Sequence, residues 1–368
     1  MGTWYAKTGI TNIDDANMWS ANADGSGAAA SWASGAVGTS GDTLNLNGKA
    51  ITLNQSTANI IIDTTTGSLT VTSTKTITGN VTYSGTDTAN GCIRVETSGN
   101  LTIDGTATNS SSGRCIKTTS TGIVHITGNL VLSGSSAGIA MFVTGTGAVT
   151  IDGALQYNNT CTGYVLNCSA TATVTVGSIG GNTTGVNGLS AVYFAGGTLN
   201  VIGGISSKLG NLAIWIASGI VNWTGAQTLA SNADCQIAVF SGMLNLATAS
   251  AALTLTNSGR FLIKKYGGTI TTTAAGGTAA INNQSSAAIA LGGAFDLSPI
   301  IHYPTIPAAA DVRNGTTRGY PGDPNGSMTE GGDLKLGDSI ASGVLTAGAG
   351  STNAMRGDKI ESGIIVAP

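Results

Sequence analysis

Few residues in this chain could do chemistry, and their spacing lets each be weighed. Asp104 and Asp152 each close an apolar-polar-apolar triplet and precede a glycine, in Thr102-Ile103-Asp104-Gly105 and Thr150-Ile151-Asp152-Gly153. Paired carboxylates can hydrolyse a glycosidic bond, one as acid and the other as base or nucleophile. If the two segments are equivalent strands two rungs apart, strand spacing separates the carboxylates by about 9.5 Å, near the upper limit of an inverting pair. Asp-Gly is equally a turn dipeptide, whose aspartate accepts backbone hydrogen bonds at a corner, and that is the role expected here. His125 fills the middle of a similar triplet, where other copies carry Thr or Asn, and reads as a solvated surface residue. Lys264, Lys265 and Tyr266 bring together the one adjacent pair of lysines and read as an exposed edge that discourages misassociation.

The five cysteines, Cys92, Cys115, Cys161, Cys168 and Cys235, form no CxxC pair. Cys92, Cys115 and Cys235 each stand about seven residues ahead of a triplet, which suggests similar places on different rungs. They read as small buried thiols that pack as hydrophobes. A zinc site would need histidines to join them, and the chain has only His125 and His302. No catalytic, metal-binding or cofactor-binding residue is assigned, and no cofactor is expected.

The elements that position these residues follow from one recurring phrase, a glycine or small residue and then an apolar-polar-apolar triplet. It starts at Gly41, Gly67, Gly99, Gly122, Gly147, Ala172, Gly197, Gly219, Gly242, Gly268 and Gly293. The steps are roughly 22 to 26 residues, with one of about 32 between Gly67 and Gly99, a solenoid period. Alternation at period two turns Leu69 and Val71 inward and Thr70 outward. Such a short strand buries its apolar face only by stacking on the next copy. The expected fold is all-β: a parallel β-helix of about eleven rungs, with no segment of helical periodicity. A second strand precedes the phrase in most rungs, as at Cys92 to Glu96, Cys115 to Thr119 and Leu212 to Ile216. Its phase is less constant, so its inward side chains are not assigned. The outward positions of the phrase read Asn45, Thr70, Thr102, His125, Thr150, Thr175, Asn200, Asn222, Asn245, Thr271 and Asp296. The column two residues on is broken by Asp104, Asp152 and Ile202, which argues against a flat ice-binding face.

Charged residues make up only 9% of the chain, against about 25% in ordinary soluble domains, so Thr, Ser, Asn and Gly must build the surface. A net charge of −3 and the lack of a basic stripe in the sequence argue against nucleic-acid binding. No stretch of about 18 apolar residues is present to span a membrane. The opening Met1-Gly2-Thr3-Trp4-Tyr5 shows no signal-peptide pattern, so folding in a cytoplasm is expected.

Three segments are expected. Residues 1–40 carry Trp4, Trp19 and Trp32 and read as a cap or attachment segment at one end of the β-helix. Residues 41–298 are the β-helix itself. Residues 299–368 hold all six prolines and read as an assembly or attachment segment, because proline cannot donate to a ladder.

Within the third segment, Pro304-Thr305-Ile306-Pro307-Ala308-Ala309-Ala310-Asp311-Val312-Arg313-Asn314-Gly315-Thr316-Thr317-Arg318-Gly319-Tyr320 resembles a segment at the distal ends of tailed-bacteriophage fibre and other virion-surface proteins. A Trp-bearing leader running into Gly41-Asp42-Thr43-Leu44-Asn45-Leu46-Asn47-Gly48 also resembles phage β-solenoid proteins. The resemblance implies a virion structural protein, often a homotrimer, assembled in the host cytoplasm and contacting other capsid or tail proteins. The expectation is a non-enzymatic capsid decoration or head-fibre protein. The alternative is a tail fibre or tailspike that binds or cleaves a host surface glycan.

Overall fold

The computed structural model describes residues 2–302 except 33–36, 40, 63–65, 134–136, 158–161, 181–189, 209–211, 226, 230–232, 247–252, 256–259, 273–280, 284–289 and 293–300. Beyond 302 it describes four short strands. The chain divides into two compact units, Met1–His302 and Tyr303–Pro368.

The first unit is an all-β solenoid of about seven turns that contribute to every side, from the turn opening at Asn59–Ile62 to the turn closing at Trp223. Each turn has three sides, whose strands pair in parallel with their counterparts one turn away; Ser207–Lys208, which pairs antiparallel with residues 233–234, is the exception among the described residues. The first stack runs Thr43–Asn45, Asn59–Ile62, Val81–Tyr83, Ala107–Asn109, Leu130–Leu132 and onward. The second runs Ala50–Thr52, Ser68–Val71, Ile93–Val95, Arg114–Thr118, Ile139–Val143, Tyr164–Cys168 and onward. The third runs Lys75–Ile77, Asn100–Ile103, Ile123–Ile126 and onward through residues 149–151, 173–176, 198–201, 220–223 and 243–246 to Thr269–Thr272.

Inward rows are unbroken in apolar character. Leu44, Ile60, Val81, Ala107, Leu130 and Leu155 line the first side, and Leu69, Ile93, Ile116, Met141, Leu166, Val192 and Ile214 the second. All of these are essentially inaccessible to solvent, and each large aliphatic among them contributes about 1.5–3 kcal/mol of transfer free energy.

The phrase copies do not form a single column: the copy at Gly41 lies in the first stack, the copy at Gly67 in the second, and those from Gly99 to Gly268 in the third, while the copy at Gly293, with Asp296, lies outside the described residues. Leu69 therefore pairs with Ile93 rather than Leu101, and the segment under Leu101-Thr102-Ile103 is Lys75-Thr76-Ile77. The long step between Gly67 and Gly99 is a change of side. Period-two alternation says which residues face inward but not which of three sides they belong to.

At the phrase glycines from Gly99 to Gly268 the residue has a steric reason. A methyl group at Gly147 would run into the Gly122 carbonyl one turn below, and Gly197, at a φ of 73°, is equally close to the carbonyl of Ala172. Corners between the second and third stacks use the left-handed region at Thr97 and Ser120 as well, with φ of 52° and 53°.

Residues before Gly41 close the first end. Thr3–Ala6 adds in parallel to Thr43–Asn45 and then turns antiparallel to Trp19–Ser20, which pairs with Ala29–Ala30. Thr52 receives the Ile13 amide and donates to the Thr11 carbonyl, so the edge of the second stack is covered too. Trp19 is fully buried, with its indole nitrogen donating to the Ile13 carbonyl at 2.8 Å, whereas Trp4 and Trp32 are half-buried. This arrangement blunts a sheet edge that could otherwise template pairing with another chain.

After Trp223 the second and third stacks continue to residues 290–292 and Thr269–Thr272. A separate parallel sheet joins Gln227–Leu229, Leu253–Leu255, Ile281–Asn283 and Ile301–His302. Within the second unit, Ser339–Ile340 pairs in parallel with Lys359–Ile360, and Val344–Thr346 with Ile364–Val366. Both pairings step by 20 residues, and the sequence repeats with them, Gly337-Asp338-Ser339-Ile340-Ala341-Ser342-Gly343 against Gly357-Asp358-Lys359-Ile360-Glu361-Ser362-Gly363. Among the described residues no helix is long and apolar enough to cross a membrane.

Candidate functional site

The acidic residues singled out from the sequence lie just past the third stack. Its register places Asp104, Thr127 and Asp152 on successive turns. Thr127 Oγ1 donates to Asp104 Oδ1 at 3.0 Å, while Asp152 Oδ2 lies 2.8 Å from Nε2 of His125. His125, expected as a solvated surface residue, is partly exposed and in hydrogen-bond contact with Asp152, at 40% and 51% side-chain exposure respectively. The two carboxylates thus have different partners on an open face, with Thr127 standing between them. Among the described residues no group of three or more His, Cys, Asp or Glu is placed to hold a metal ion.

Further along the same side the outward column binds to itself. Asn200 donates to Thr175, Asn222 to Asn200, Asn245 to Asn222, and Thr271 to Asn245, at 2.9 to 3.5 Å. Each amide uses its NH₂ on one neighbour and, at Asn200, Asn222 and Asn245, its carbonyl on the other. Asn45 and Thr70, expected in this column, belong to the other two stacks, and Thr76 takes the place below Thr102.

Cys92 and Cys115 are level on adjacent turns, and the Cys92 thiol donates to the Cys115 carbonyl. Burial and the neighbouring thiol push Cys92 well above the usual thiol range. Cys235 does not share that row, because the register of Ile214 with Ile237 places Gln236 there instead. All three are fully buried, and Cys161 lies outside the described residues.

Sequence reasoning missed the outer face of the second stack, where the aromatic side chains collect. Tyr164 packs on Tyr193 with ring centroids 5.4 Å apart, Tyr193 meets Trp215 edge-on at 5.8 Å, Trp215 stacks on Phe240 at 5.0 Å, and Phe240 on Tyr266 at 4.5 Å. The series crosses five turns, about 19 Å at strand spacing, and ends at Tyr266, which is 65% exposed. Burial, followed by the neighbouring Tyr193, pushes the Tyr164 phenol up. Lower on the same face the outward register runs Arg94, Lys117, Phe142, Asn167, Tyr193, Trp215. The Arg114 guanidinium lies 4.0 Å from the centroid of Phe142, and Arg114 and Lys117 both donate to the Ala89 carbonyl at 3.2 Å. Basic and aromatic residues scattered along the chain therefore share one face. The available signal was the recurrence of Tyr164, Tyr193, Trp215, Phe240 and Tyr266 at 22 to 29 residues, close to the solenoid period.

No protein-family model, curated protein or solved structure matches the chain.

Proposed function

We propose that this chain is a non-enzymatic structural protein of a bacteriophage particle, a capsid decoration or head-fibre protein that works as a homotrimer in contact with other virion proteins. The observation that carries the non-enzymatic part is the self-bonded column Thr175–Asn200–Asn222–Asn245–Thr271, whose polar side chains are spent on one another rather than held toward a substrate. Support for the particle comes from the resemblance of Gly41–Gly48 and Pro304–Tyr320 to virion-surface proteins; the latter segment lies outside the described residues. In this reading the strands beyond Trp223 extend the solenoid to about eleven rungs, and residues 299–368 serve assembly or attachment.

The rival is a depolymerase acting through Asp104 and Asp152. Incubating the full chain with host capsular or lipopolysaccharide glycan and assaying reducing ends separates the two. No release above that of an Asp104→Asn/Asp152→Asn variant is expected. Release by the wild-type chain that either single substitution abolishes would overturn the structural reading. A second reading, a tail fibre that binds a host glycan without cutting it, is favoured by the aromatic face of the second stack.

A further inference from the structure

The second stack presents an outer face unlike the other two. At one end stand Arg114 and Lys117; among the described residues neither pairs with a carboxylate. The adjacent Arg94 lies 3.6 Å from Glu96. Asp87, in the neighbouring loop, has Oδ1 taken by the amides of Ala89 and Asn90. From there the face continues through Phe142 beneath Arg114 to the rings of Tyr193, Trp215, Phe240 and Tyr266. Asp104 and Asp152 lie past the third stack, so these acids and these cations are kept on different sides.

Ring orientation decides what such a face can hold. Trp215 and Phe240 are within 23° of coplanar, and Phe240 and Tyr266 within 11°. Phe240 thus has a ring on each of its faces, and the stack runs from turn to turn. Rings stacked this way turn their edges outward, and the edge is the positive part of the aromatic quadrupole. The tyrosines add phenolic donors at the rim. Positive edges, hydroxyl donors and two cations along one line are complementary to a negatively charged, hydroxyl-rich chain. A single-stranded nucleic acid fits less well, because base stacking needs an open ring face and those of Phe240 are occupied.

We propose that the outer face of the second stack binds an acidic polysaccharide, with its carboxylates at Arg114 and Lys117 and its sugar hydroxyls along the edges of Trp215 and Tyr266. The site needs no particular position of the chain in a particle, so failure of this proposal leaves the structural role standing.

Binding of the full chain to polygalacturonate, measured by titration calorimetry, tests it, with dextran as neutral glycan and an oligothymidylate as nucleic acid. Polygalacturonate is expected to bind and to weaken with added salt, dextran to bind far less. Tyr266→Ala, at an exposed tip, should weaken binding about fivefold. Arg114→Gln/Lys117→Gln should weaken it about tenfold and flatten the salt dependence. Thermal melts matching the wild type would confirm that both variants fold. Absence of polygalacturonate binding, equal affinity for dextran, tighter binding of the oligothymidylate, or wild-type affinity in both variants would each overturn the proposal. So would loss of self-association in Tyr266→Ala with polygalacturonate affinity unchanged, since the face would then be covered by a second copy.

Discussion

Thr97 holds a φ of 52°, a region where a β-branched side chain crowds its own backbone at a cost of about 1–2 kcal/mol. Its hydroxyl donates to the Glu96 carbonyl at 2.7 Å, which recovers part of that cost. Asparagine tolerates the left-handed region, so Thr97→Asn should stabilise the fold by about 0.5–1 kcal/mol, read as a raised urea midpoint at unchanged slope. A lower midpoint would mean the hydroxyl outweighs the strain. Asp15 bears on pH. Burial works against its charge, but the amides of Asn12 and Thr11 and both their side chains more than offset that and bring it down to about 2. A carboxylate held below its unfolded value of about 3.9 stabilises the fold above that value and loses the contribution as pH falls through the folded one. Stability should therefore decline between about pH 4 and pH 2, and Asp15→Asn should flatten that part of the profile. An identical acid limb in the variant would show that the Asp15 turn does not hold the N-terminal cap.

The strands themselves show what alternation can and cannot reveal. In the third stack it survives: Leu101, Ile103, Val124 and Ile126 are buried, with Thr102 and His125 between them facing out. In the second stack two successive residues are buried, Cys115 with Ile116, Ala140 with Met141, Val165 with Leu166, Ala213 with Ile214. That doubled inward step breaks period two, so the outward rings of Tyr193 and Trp215 could not be assigned from pattern. Place along the chain was legible; side of the solenoid was not, as the copies at Gly41 and Gly67 illustrate. The pairing of His125 with Asp152 escaped for a related reason, since a lateral contact between turns depends on register, which the triplets alone leave open. The glycine column makes the register testable. Because a methyl at Gly147 meets the Gly122 carbonyl, Gly147→Ala should destabilise the fold by about 2–3 kcal/mol. Gly2→Ala, with the nearest side-chain atom 3.7 Å from the new methyl, should be nearly neutral. Equal effects in chemical denaturation would contradict the stacking of the third side.

For the whole molecule, the capped first end, the self-bonded outer column and the low charge fit the structural role proposed above. The N-terminal strands cover one edge of the solenoid, and the aromatic and cationic face of the second stack is the part best suited to hold something else. A structural protein of a particle must be found in the particle, and in stoichiometric amounts. The most direct test is quantitative mass spectrometry of gradient-purified, salt-washed phage particles produced by cells that carry this coding sequence. The account predicts that the chain is retained on the particles at a copy number divisible by three. Its absence from washed particles, or its presence only at trace level, would contradict the account.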